Sequence, residues 1–406
     1  MFYISNIYKK VTATSYLSDN KLSVSMLLHR LLGILLLFFC YANLSAQPST
    51  VFENGEGGYT CFRIPAIIKA PNGTLLAFAE GRVTNCGDFG DVDIVQKVSS
   101  DNGKTWGALR VVASNTTLQA GNPTPIVDLL DPNYPKGRIF LIYNTGNASE
   151  QANREGKGVR EVLYITSTDN GQTWTIPITI TTSVHRPNNP QFNQSYTFKE
   201  DWRSYANTPG HGLQLTKGKY QGRLLVPANH SEGPPQKEFR DYHAHAFYSD
   251  DHGATWKLSN VVEYPGSNES TAAELSDGSV LMNMRNQSGD QKYRLTTRST
   301  TGGAVWEKAQ VETQLPDPVC EGSILSAKAS RKKSALFFSN LNNTTKRENL
   351  TLYTSTDDGK SWQVFKVVDS GSSAYSDLVQ PRNGHIGILY EKDDYRKVVY
   401  VSFGIR

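Results

Sequence analysis

Eight polar residues in this 406-residue chain are of types that do chemistry: Arg63, Arg82, Asp88, Glu269, Arg285, Arg347, Tyr375 and Glu391. Brought together, the arginines would repel one another beside so few carboxylates unless an anion sat among them. Guanidinium forks match a carboxylate with paired, charge-assisted hydrogen bonds. An aspartate and a tyrosine–glutamate pair beside that anion would suit acid–base and nucleophilic catalysis. Whether the eight meet depends on the elements that carry them.

Those elements are legible through a repeat. Ser99-Ser-Asp-Asn-Gly-Lys-Thr-Trp106 recurs as Ser167-Thr-Asp-Asn-Gly-Gln-Thr-Trp174, Ser249-Asp-Asp-His-Gly-Ala-Thr-Trp256 and Ser355-Thr-Asp-Asp-Gly-Lys-Ser-Trp362. Ser299 to Trp306 is a worn fifth copy, and five of the six tryptophans fill this one slot. The aspartate can accept backbone N–H bonds, the glycine supplies positive φ, and the tryptophan packs back on a sheet. The octapeptide is therefore a hairpin turn, and its aspartates are structural. Later copies stand about 50 residues apart, room for four short strands and the period of a β-propeller blade. One unit is expected to hold strands at 62–69, 74–81, 93–99 and 109–113, with a turn at Pro71-Asn-Gly73. Ser276-Asp-Gly278 and Arg382-Asn-Gly384 mark the same turn in later units. The expected fold is all-β: a six-bladed β-propeller of four-stranded antiparallel blades over residues 47–406, completed by an N-terminal strand near Val51.

On that pattern Arg63 starts a first strand and Arg82 ends its second. Glu269 and Arg285 hold the same two positions in a later blade, and Tyr375 and Glu391 in the last. Asp88 lies in the loop between second and third strands; Arg347 lies just before a third strand. All eight then project from one face, opposite the octapeptide turns, toward the axis where the first strands converge. A sugar with a carboxylate on its anomeric carbon suits such a site. A carboxylate nucleophile would approach a centre already negative, whereas a neutral tyrosine avoids that repulsion.

The motifs Phe62-Arg-Ile-Pro65, Ala79-Glu-Gly-Arg82, Asn268-Glu-Ser270, Asn283-Met-Arg285 and Ala374-Tyr-Ser-Asp377, with the four good octapeptides, resemble the bacterial exo-α-sialidase (neuraminidase) family. The octapeptides correspond to that family's Asp boxes. The resemblance implies hydrolysis of terminal sialic acids with retention, through a covalent tyrosyl intermediate. It implies that Arg63, Arg285 and Arg347 grip the substrate carboxylate, that Tyr375 is the nucleophile and that Glu269 is its base. Asp88 would be the acid, favoured over Asp91 and Asp93; Glu269 is favoured over Glu274. Glu391 would orient Arg63, and Arg82 would stand near the acid. Sialylated glycans of glycoproteins, glycolipids or oligosaccharides are the expected partners, with no cofactor or metal. A non-catalytic sialic-acid-binding propeller and a trans-sialidase are the alternative readings. His211 and His230 are placed on the active face, near the leaving group. Cys61 and Cys86 flank the Arg63 strand and the Asp88 loop and are the expected disulfide pair.

Residues 1–46 read as an upstream extension followed by a signal peptide: Met26 opens a stretch with Arg30, an apolar run from Leu31 to Cys40, and small residues ending at Ala46. That run is shorter than the roughly 20 residues a membrane span needs. An exported protein, periplasmic or secreted, is expected, with no membrane span in its mature form. The leader holds four of the 42 basic and one of the 38 acidic residues, so the remainder is close to neutral. That balance gives no footing for nucleic acid or a charged membrane surface. Three cysteines lie beyond the leader, which permits at most one internal disulfide.

Overall fold

The computed structural model describes residues 47–328 and 334–405. The expected extension and signal peptide lie outside the described residues. The fold is all-β, with strands near the expected positions: Cys61–Lys69, Leu75–Arg82, Val92–Ser99 and Arg110–Ala113 make the first unit.

The strands group into four sheets of eight, five, four and seven strands rather than six equal ones. Two local features cause the difference. A parallel pairing of Val92 with Gln119 carries the first unit into the second. The long Gln363–Val379 strand pairs with Glu348–Ser355 along its first part and with His385–Lys392 along its last. Ser49–Glu53 pairs antiparallel with Lys397–Gly404, so the N-terminal strand joins the last sheet, as expected from Val51.

The octapeptides show why the sheets pack side by side. Asp101 Oδ1 accepts the backbone N–H groups of Lys104 (2.9 Å) and Thr105 (3.0 Å), and its Oδ2 accepts the Thr105 hydroxyl. The Ser99 hydroxyl bonds Asp101 and accepts from the Gly103 N–H. Gly103 has φ +85, and a Cβ there would lie 2.1 Å from Tyr400 of the last sheet. Only glycine meets both demands. Trp106 packs edge-on against the same tyrosine. In the worn copy Thr301 replaces the aspartate, and its hydroxyl still accepts the Val305 N–H at 2.8 Å.

Inner strands are linked in sequence order by buried polar contacts. Asn122 N–H donates to Glu80, and the Thr124 hydroxyl to the Thr208 carbonyl. The Thr208 hydroxyl donates to the Ser270 carbonyl, and the Thr271 hydroxyl to the Gly322 carbonyl. The Ser323 hydroxyl bonds Asp377, whose other oxygen accepts the Ile67 N–H at 2.8 Å. The series thus ends on the strand that carries Arg63, the paired neighbour of the one that carries Glu80.

Candidate active site

Five inner strands lose register near the same end. The irregularities lie between Arg63 and Ala66, Gly121 and Thr124, Trp202 and Tyr205, Ser267 and Ser270, and Ser373 and Ser376. A bulge re-aims side chains that strict alternation would turn elsewhere. Ile64, Asn122, Ser204, Glu269 and Tyr375 sit within these bulges, and all five line one cleft of about 260 Å³. Ile64 has φ +57, a conformation that a β-branched residue rarely adopts. Its N–H is held by Glu391 Oε1 at 2.9 Å.

Of the eight residues singled out by sequence, seven line this cleft: Arg63, Arg82, Asp88, Glu269, Arg285, Arg347 and Tyr375. The eighth, Glu391, is fully buried behind Arg63 and accepts its Nε at 2.6 Å. Arg285 bonds Glu269 at 2.7 Å, and Arg82 bonds Glu80 at 2.7 Å and Asp88 at 2.9 Å. Arg347 has no carboxylate within ion-pair distance among the described residues. It donates instead to the Tyr395 hydroxyl (3.1 Å) and the Val319 carbonyl (3.3 Å).

The Tyr375 hydroxyl donates to Glu269 Oε1 at 2.6 Å and accepts from Arg285 Nη1 at 3.0 Å. Burial pushes the phenol well above its ordinary pKa; Glu269 adds to this, while Arg285 and Arg347 pull the other way. The phenol is therefore neutral at rest and has a carboxylate positioned to take its proton.

Asp88 is the exposed member, its side chain 72% accessible. Burial of its surroundings raises its pKa, but the charges of Arg82 and Arg63 outweigh that and hold the carboxyl below the usual range. A disulfide joins Cys61, beside Arg63, to Cys86 in the loop, across a Cα–Cα distance of 5.3 Å. Cys320 is free and buried, and burial pushes its thiol up to about 12.

Comparison with known proteins places this arrangement. Residues 73–388 match the family model of a BNR repeat-like domain. A sialidase of Micromonospora viridifaciens is 34% identical over 353 residues, covering 83% of this chain and 51% of that protein. Sialidase-2 of Cricetulus griseus is 30% identical over 387 residues, covering 89% of this chain and 96% of that one. The chain belongs to the sialidase family. The Hadza microbial sialidase Hz136 superposes with a TM-score of 0.75 at 25% identity, over 88% of this chain and 68% of that one. This member of the sialidase family spans about half the length of its Micromonospora relative and nearly all of the Cricetulus one.

Residues not singled out from the sequence also line the cleft, among them Glu80, Gln119, Glu150, Arg160 and Phe239. Glu80 stands two residues before Arg82 and was within reach of the motif; the others lie in stretches without a repeat. Two of the alternatives, Asp93 and Glu274, are engaged elsewhere. Asp93 accepts the Tyr59 hydroxyl at 2.7 Å, and Glu274 accepts the N–H groups of Thr216 and Lys217 at the far end of its strand. Two histidines are corrected. His230 is fully buried and stacks on Trp202, because its neighbour Asn229 is the residue that faces the cleft. His211 is drawn to Asp377, 2.7 Å away, and lines a cavity with Glu274 and Lys328 instead. Among the described residues Asp128, Asp131 and His252 form one group of ligand type. Arg138 already bonds Asp131 at 2.9 Å and supplies positive charge there.

Proposed function

We propose that this chain is an exported, retaining exo-α-sialidase built on a six-bladed β-propeller of four-stranded blades over residues 47–406. Its substrates are terminal sialic acids of glycoproteins, glycolipids or oligosaccharides. The propeller reading is supported by the octapeptides, by the N-terminal strand in the last sheet and by the series of contacts that runs from Glu80 round to Ile67 on the paired strand of the same unit. For secretion the support is the composition of residues 1–46. No described helix is long and apolar enough to cross a membrane.

The observation that carries the chemistry is the 2.6 Å hydrogen bond from Tyr375 to Glu269, set among Arg63, Arg285 and Arg347. The three arginines receive the sugar's carboxylate. Tyr375 attacks the anomeric carbon while Glu269 takes the phenolic proton, and the bond to the leaving oxygen breaks. Asp88, held by Arg82, protonates that oxygen. In the second half Asp88 takes a proton from water, which attacks the same carbon and breaks its bond to the Tyr375 oxygen, and Glu269 returns its proton to that oxygen. Two displacements on one carbon give retention.

The test is release of sialic acid from a fluorogenic α-sialoside by the protein starting at Gln47, beside its Tyr375→Phe variant. Turnover by the parent, at least 100-fold above the variant, supports the reading. Proton NMR of the first product should show the α-anomer. First release of the β-anomer would exclude retention, and equal turnover by Y375F would remove Tyr375 from the mechanism. An anhydro sugar or a new glycoside among the products would instead indicate transfer, the activity named for two structural neighbours whose 18–19% identity bears on fold alone. A folded parent that binds sialic acid without turnover would be a binding protein.

A further inference from the structure

Tyr395 is outside the motifs discussed so far and does not line the cleft. It stands in the turn between the His385–Lys392 and Lys397–Gly404 strands, and its surroundings are unusual. Asp393, Asp394 and Tyr395 have φ of +56, +53 and +65 in succession. Aspartate tolerates the left-handed region through local hydrogen bonds; a bulky aromatic has no such relief. The Asp394 carboxylate is tied down by the Ser372 hydroxyl, which donates to it at 2.6 Å from 22 residues away. Glycine at position 395 would satisfy the backbone at lower strain, so the side chain is what the turn presents.

That side chain lies against two arginines of the cleft. The Arg63 guanidinium carbon lies 4.0 Å from the centre of the Tyr395 ring, a cation–π stack. The Tyr395 hydroxyl accepts from Arg347 Nη1 at 3.1 Å. Arg63 has Glu391 as well, whereas the hydrogen bonds of the Arg347 side chain, among the described residues, go to this hydroxyl and one main-chain carbonyl. Two cations meant for one carboxylate repel each other while the cleft is empty. A neutral ring that stacks on one and bonds the other fixes their separation without adding a negative charge to compete with the substrate.

We propose that Tyr395 is a positioning residue that pre-sets Arg63 and Arg347 for one carboxylate, the strain of its turn being the cost of that placement. The inference rests on the sialidase reading for its substrate, and free sialic acid keeps the two separable. It acts on binding of the carboxylate and leaves Tyr375, Glu269 and Asp88 untouched.

The experiment compares the parent with Tyr395→Phe and Tyr395→Ala, reading kcat, KM and the calorimetric Kd for free sialic acid, with Tm as the fold control. Y395F keeps the stack and loses the acceptor for a charged donor, so KM and Kd should rise about tenfold. Y395A loses both and should rise further, with kcat within about twofold of the parent in each. Lower Tm with KM and Kd unchanged would make Tyr395 a purely structural residue and overturn the proposal. A fall in kcat at constant KM would overturn it too. Should Y395A fail to fold, Y395F alone decides. A parent without turnover would sink the sialidase reading, while the Kd values would still judge Tyr395.

Discussion

Glu391 grips Arg63 and the Tyr375 strand at once: Oε1 accepts the Arg63 Nε at 2.6 Å, and Oε2 accepts the Tyr375 N–H at 3.1 Å. One buried carboxylate therefore fixes the Arg63 guanidinium relative to the Tyr375 strand. Oε1 also accepts the Ile64 N–H, so both oxygens are engaged and neutralising the group should affect both ends.

Glu391→Gln removes the near counter-charge and leaves the buried Arg63 guanidinium only the exposed Asp88, 4.0 Å away, as an ionic partner. Breaking such a pair costs about 3–5 kcal/mol, so urea unfolding should show a loss near the lower bound, since the amide still accepts one bond. KM for a sialoside should rise about tenfold or more. Parent-like unfolding and KM would show that Arg63 is held by something else.

Asp88 leads to a pH prediction. In the empty cleft Arg82 and Arg63 keep its carboxyl below the ordinary range, whereas a general acid must carry a proton. The incoming substrate carboxylate offsets part of that positive charge, so the pKa of Asp88 rises on binding. The profile of kcat/KM reports the free enzyme and that of kcat the complex. The alkaline fall of kcat should therefore lie at higher pH than that of kcat/KM, by about one unit. Coincident limbs in steady-state profiles would show that binding does not retune Asp88.

Acid sensitivity should come from another place. His185, His230 and His245 are buried around Trp202 and Tyr205, with several ring nitrogens lacking any partner. Burial is the main cause that lowers all three below 6.5, with neighbouring positive charge adding to it, and His245 reaches about 3. Their folded pKa values are depressed, so the stability they permit is fully present above about 6.5 and is lost as pH falls from there toward the folded values. Each contributes a slope of about 1.4 kcal/mol per pH unit in that window. Denaturant unfolding between pH 7 and 4.5 should show this loss, and His230→Gln should reduce it. A pH-independent midpoint over that range would contradict the prediction.

Much of this was readable from the chain because turns are encoded locally. Ser99, Asp101, Gly103 and Trp106 each have a side-chain reason to be where they are, and their repetition counts the units. Placing Arg63, Glu269 and Tyr375 at strand starts followed from that count. The bulges were hidden, since a positive φ at Ile64 leaves no mark in composition. His230 shows the cost: without the register, a residue one step from Asn229 is assigned to the wrong face. Tyr395 was hidden for a different reason, because its role depends on two arginines that are remote in sequence.

The pairing of Ser49–Glu53 with the last strand has a consequence for how the molecule is made. Ser49 bonds Tyr400 across 351 residues, so its partner is synthesised long after it. Until then, the Ser49–Glu53 strand and the edge of the Lys397–Gly404 strand both present unpaired backbone groups. Pairing across so long a loop is a slow, non-local event. The interval before the two strands meet is when these edges are most exposed to aggregation and to proteases.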